Sequence, residues 1–291
     1  MSGNFEPHVE VHEHYSLGRA AVFGVLALLV LIAVAVARHP ASVHGDGSGL
    51  LWMDVTLLLM YGAAGVWAYY QGRSEVNTSL NAGARFGVPL GVVLVANHVI
   101  ELFVPVRPFL LVIIPVFLAL TLLGAAGSAA WQRIGKFLPA VIAGVWCAIV
   151  AVLILLCVGF SMILLFERKA ELQLSEAFAA SGMNDPGAFL VRNTLEAASE
   201  ILVRMPIFAV FLSFTGAITN AWISAKSPRT AFAAAWLLPI IFAAGAVALW
   251  HANSLERGAR PPFVMAGVAL SGVTLCSVHA IWSALRRQVG A

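Results

Sequence analysis

About eight stretches of this chain are apolar on every face over roughly the 20 residues a helix needs to cross a hydrocarbon layer of about 30 Å. They cover about residues 18–38, 50–70, 83–104, 109–131, 137–166, 199–224, 230–250 and 262–285. In lipid, each backbone amide must be satisfied by protein, so such stretches form helices unless they close into a barrel. Barrel strands alternate apolar and polar residues, and a run such as Ala20 to Ala37 does not. A soluble helical protein would need more charge on its surface than 11%, set here against 60% hydrophobic residues. The expected fold is all-α: a polytopic transmembrane helical bundle of about eight spans.

The blocks divide the chain into a polar N-terminal tail (1–17), spans one to five (18–166), an outer-side amphipathic segment (167–198), spans six to eight (199–285) and a C-terminal tail (286–291). Eight crossings return both termini to one side. Lys and Arg number nine on that side and eight on the other, but four of the eight sit in one longer segment that counts for less. Both termini are therefore expected in the cytoplasm. Ala35-Val36-Ala37 has the small residues of a signal cleavage site, yet Glu6, Glu10 and Glu13 precede it where a signal peptide carries basic residues. The first block is expected to stay as a span.

Within 167–198, Asn184-Asp185-Pro186-Gly187 marks a turn or helix start. Its flanks, 170–180 and 188–200, read as amphipathic helices at the outer interface. The segment is too short for a core of its own, so any chemistry must come from the bundle.

The third span carries the densest pattern. Gly83, Gly87 and Gly91 recur every four residues, a small-residue ridge suited to close helix contact. At about 100° per residue, Glu101 shares the direction of Gly83, and His98 lies about 60° away. His98 and Glu101 are thus expected to point into the bundle, as a structural polar contact, a proton or ion site, or a metal pair. Glu101 also stands near Arg107 at the helix end.

Asp54 is expected in the first turn of the second span, where a carboxylate suits the helix dipole. Glu196, Glu200 and Arg204 follow one another at four-residue spacing, with Arg204 snorkelling outward from the sixth span. With both termini inside, Asp54, His98, Glu101, Glu196, Glu200, Arg204 and His251 lie toward the outer side, where one polar vestibule would unite them. No charged residue falls near the middle of a span, which is where ion-coupled carriers place their sites. Mid-span polar groups are neutral, such as Tyr61, Thr215 and Asn220, and Pro89 and Pro239 are the helix-interrupting residues.

Cys147, Cys157 and Cys276 all lie within spans, without CxxC spacing, and read as packing residues. His8, His12 and His14 in the N-terminal tail have no accompanying ligand motif. Gly91-x6-His98 echoes Gly272-x6-His279, but the two helices run antiparallel, which sets the histidines at different depths and argues against a haem between them. Walker, HExxH, GxSxG and CxxCH motifs are absent. A net charge of +3 without a basic patch offers nothing to nucleic acid.

No cofactor is expected. The partners are the lipid bilayer and other membrane subunits or further copies of the chain. The composition fits a bacterial inner membrane. On these grounds a non-catalytic subunit or scaffold ranks first. A transporter or channel for a small solute, ion or lipid, with His98 and Glu101 as its polar site, comes second, and an intramembrane enzyme or haem protein third.

Overall fold

The computed structural model describes residues 10–224, apart from residue 46, residues 72–73 and residues 105–108. The described residues form helices throughout: α1 (Glu10–Arg38), a 3-10 turn (Pro40–Val43), α2 (Gly47–Tyr70), α3 (Ser74–Phe103), α4 (Phe109–Ile134), α5 (Phe137–Leu165), α6 (Glu167–Gln173), α7 (Ser175–Ser181) and α8 (Pro186–Ser224). Six of them, α1 to α5 and α8, are long and apolar enough to cross a membrane. They match the first six apolar blocks, and the stretches 230–250 and 262–285 lie outside the described residues.

Element ends follow local chemistry. No glycine or proline interrupts residues 10–17, so α1 runs through them, inside the stretch expected to be a tail. It stops where Pro40 blocks further helix. Gly135 (φ 73°) and Gly182 (φ 71°) adopt the left-handed conformation that ends α4 and α7. Asp185 caps α8 by accepting from the Ala188 amide at 3.1 Å, and Pro186 occupies the first helical position.

The amphipathic helix expected over 188–200 is not a separate element. It is the first part of α8, which continues unbroken through the sixth span, because residues 188–205 offer no proline or glycine to stop it. At about 1.5 Å per residue its 39 residues extend about 58 Å, well beyond a hydrocarbon layer of about 30 Å.

α5 is the central post. It is at least twice as buried as any of the other five described spans, and it packs on α1, α3, α4 and α8. Small residues make this possible, since Ala143, Gly144, Cys147, Ala148 and Ala151 leave its surface low on several sides. α3 runs parallel to it with glycines against its backbone. A methyl group on Gly83 would meet the Ala143 carbonyl at 2.5 Å, one on Gly87 the Cys147 carbonyl at 2.8 Å, and one on Gly91 the Ile154 side chain at 2.9 Å. On another side, Ser213 of α8 sits against Gly144 of α5 and Gly127 of α4. α1 and α2 cross equally closely, with Gly18 against the backbone of Gly65 and Tyr69.

Polar ties secure the ends. Lys136 pairs with Glu75 at 2.7 Å, joining the starts of α5 and α3. Gln132 of α4 donates to Asn220 of α8 at 3.0 Å, and Asn220 in turn donates to Ser128. These groups serve helix–helix register.

Gly87→Leu tests the α3–α5 contact. The new side chain meets main chain rather than a movable side chain, so we expect a loss of at least the 1–3 kcal/mol typical of overpacking, about that order or more. Denaturation of the purified protein in mixed micelles measures it, and unchanged stability would remove the contact from the account.

Candidate functional site

The inward face of α2 reads Gly47, Asp54, Leu58, Tyr61, Gly65 and Ala68. Those steps of three, four and seven place all six on one stripe. Leu58, Tyr61 and Ala68 belong to an apolar cluster shared with α1, α5 and α8. Asp54 occupies the same stripe and is completely buried (0% exposed), the sole charged residue between Gly47 and Tyr70.

This placement differs from the expected one at the helix start. α2 begins at Gly47, whose missing side chain lets it lie against the Ser42 carbonyl. Asp54 is therefore about two turns, or roughly 10 Å, inside the helix, where the dipole no longer explains a carboxylate.

From α8, the Ser199 hydroxyl approaches the Asp54 carboxyl. That hydroxyl is already directed at the main-chain carbonyls of Leu195 (2.9 Å) and Glu196 (3.2 Å). Among the described residues, both Asp54 oxygens are left without a partner of hydrogen-bond geometry. Burying an unpaired charge costs several kcal/mol.

Two turns further along α2, Tyr61 donates its hydroxyl to the Leu202 carbonyl of α8 at 2.9 Å. The sequence of α8 explains the bond. An α-helical carbonyl accepts from the amide four residues on, and for Leu202 that position is Pro206, which has no N–H. Tyr61 supplies the missing donor from a neighbouring helix. The α2–α8 seam thus carries two polar contacts in register, Asp54 with Ser199 and Tyr61 with Leu202.

The other expected site residues lie elsewhere. On α8, Glu200 pairs with Arg204 at 3.0 Å on a partly exposed flank, and Glu196 is half-buried. On α3, His98 is half-buried with Gly159 of α5 opposite, whereas Glu101 is exposed in the last turn, beyond the glycine contacts with α5. The end of α3 is held by α6: Gln173 donates to the carbonyls of Glu101 (3.0 Å) and Leu102 (2.6 Å), and the Lys169 ammonium lies 3.8 Å from the centre of the Phe103 ring. Asp54 thus faces α8 while His98 faces α5, on separate contacts. Among the described residues no group of three His, Cys, Asp or Glu is placed to hold a metal. Arg107, His251 and His279 lie outside the described residues.

One cluster had no signal in the sequence. His39, just past α1, places Nε2 2.8 Å from Glu167 and Nδ1 3.9 Å from Asp185, with its ring seated on Gly187. It ties together the end of α1, the start of α6 and the cap of α8. Partners more than a hundred residues away leave no spacing to read.

Tyr61→Phe should cost about 1–3 kcal/mol by leaving the Leu202 carbonyl unpartnered. In a Pro206→Ala background, where residue 206 regains its amide, the same change should be nearly neutral. A double-mutant cycle on denaturation checks this, and additive effects of the two substitutions would break the link. Compared with protein-family models, curated proteins and solved structures, the chain matches none, so its function has to be read from its own geometry.

Proposed function

We propose that this chain is a membrane transport protein or channel for a small solute or ion, with Asp54 in the α2–α8 seam as its polar site. The observation that supports this reading is the completely buried carboxyl of Asp54, which has Ser199 beside it and no partner of hydrogen-bond geometry among the described residues. An ionisable group inside a membrane bundle marks a substrate, ion or proton route by default. Pro206 adds to it by loosening the backbone ladder of α8 one to two turns from Ser199.

The non-catalytic subunit or scaffold is the second reading. A scaffold should keep a small-residue face free for a partner, and the third-span glycine face is occupied by α5. His98 and Glu101 yield the role of polar site to Asp54, since His98 is only half-buried and Glu101 is exposed.

Native mass spectrometry after gentle extraction separates the two. A lone chain or homo-oligomer is expected, and a different protein bound in fixed stoichiometry would favour the subunit reading. In proteoliposomes, Asp54→Asn should assemble at normal yield and lose proton-linked flux, whereas flux equal to wild type would remove Asp54 from the transport site.

A further inference from the structure

We propose that the Asp54 carboxyl is a proton-binding site, loaded from the bundle end that carries the Pro40–Val43 turn, and that the ion it handles is a proton and not a metal cation. This deepens the transport reading and rests on it.

A carboxylate enclosed at this position requires a compensating positive charge. Hard metal cations surround themselves with about six oxygens or more. Among the described residues the two Asp54 oxygens and the Ser199 hydroxyl oxygen make three. The Leu195 and Glu196 carbonyls are taken by Ser199, and the Tyr61 hydroxyl is committed to Leu202. A metal ion would be left under-coordinated. A proton needs one acceptor, cancels the charge and turns the carboxyl into a donor.

Among the described residues no fixed cation stands in for the proton. At about 100° per residue, Glu196, Glu200 and Arg204 point about 60°, 100° and 140° around α8 from Ser199, and Arg204 is paired with Glu200. Arg192 shares the Ser199 direction within about 20° but lies seven residues, roughly 10 Å, nearer the end of the bundle. From α1 the nearby core positions are apolar, among them Ile32 and Ala35, and Arg38 is directed at the Leu164 carbonyl. His39 is held by Glu167 and Asp185.

The entry side follows from a second orphaned group. The Ser42 hydroxyl is completely buried and also lacks a partner among the described residues. Its residue lies against Gly47, which is seven residues before Asp54 on the same face of α2. Ser42 and then Asp54 mark an inward line of unpartnered polar groups from that end. A proton passes from water to the carboxylate oxygen and returns by the same atom, with no other bond changed.

The chain contains three aspartates, Asp46, Asp54 and Asp185, and only Asp54 lies within a span. Full-length protein with carbon-13 in its aspartate carboxyls, reconstituted in lipid nanodiscs, is followed by infrared difference spectroscopy through a pH series. The expected result is an isotope-shifted carbonyl band of a protonated carboxyl that survives in Asp46→Asn and Asp185→Asn. Its midpoint should not change when sodium replaces choline, and Ser42→Ala should slow its exchange in deuterated buffer. A midpoint that falls by about one pH unit per tenfold rise in sodium would make this a metal-cation site and overturn the proton assignment, with the transport reading intact. The absence of any such band at every pH would overturn it as well. Wild-type flux in Asp54→Asn, with the band present in the unsubstituted protein, would instead remove Asp54 from the transport site and leave the proton site standing. The isotope label needs no substitution at Asp54, so the outcome does not depend on whether that variant folds.

Discussion

Lipid tails are as apolar as leucine, so helices in a membrane gain little by hiding apolar side chains from one another and are held by how closely their backbones approach. In this bundle that approach is organised on α5. Its Ala143, Gly144, Cys147 and Ala148 keep its surface low, α3 brings Gly83, Gly87 and Gly91 against one side, and Ser213 of α8 settles on Gly144 from another. The position of α8 against α5 also determines where Ser199 and Leu202 present themselves to α2. Close packing and the polar seam are therefore parts of one arrangement.

Polar groups inside such a bundle have few acceptable states, and the α2–α8 seam contains two that contrast. The Leu202 carbonyl, left without a donor by Pro206, is repaired by Tyr61, so the defect is closed and contributes to register. Asp54 is left open: its one polar neighbour is already engaged, and nothing among the described residues completes its hydrogen bonds. Structure that satisfies one buried group and leaves the next unsatisfied one to two turns away is consistent with a site that exchanges its partner. The His39 clasp at the end of the bundle is of the first kind, since both imidazole nitrogens face carboxylates and the ring is wedged on Gly187.

Much of the architecture was legible beforehand. Apolar length alone located the six described spans, because the thickness of the bilayer sets a length that composition must match. The four-residue recurrence of Gly83, Gly87 and Gly91 was readable as a close-contact face, although nothing in it named α5 as the partner. The candidate site was less legible. Asp54 was visible as a charge near the start of an apolar block, but the earlier start of α2 at Gly47, two turns before it, depends on contact with Ser42. Ser199, a small hydroxyl residue among many, had nothing to distinguish it.

The sequence by itself determined that the described residues form helices long and apolar enough to cross a membrane, where those six helices run, and that few ionisable groups accompany them. Those properties follow from the cost of exposing backbone and charge to hydrocarbon, a cost each segment meets alone. The tertiary structure decided which of those groups are enclosed. Glu101 and Asp54 look alike on the linear chain, yet one ends exposed on α3 and the other sealed between α2 and α8. Burial is a property of the neighbours, and the neighbours of Asp54 come from residues about 145 positions away.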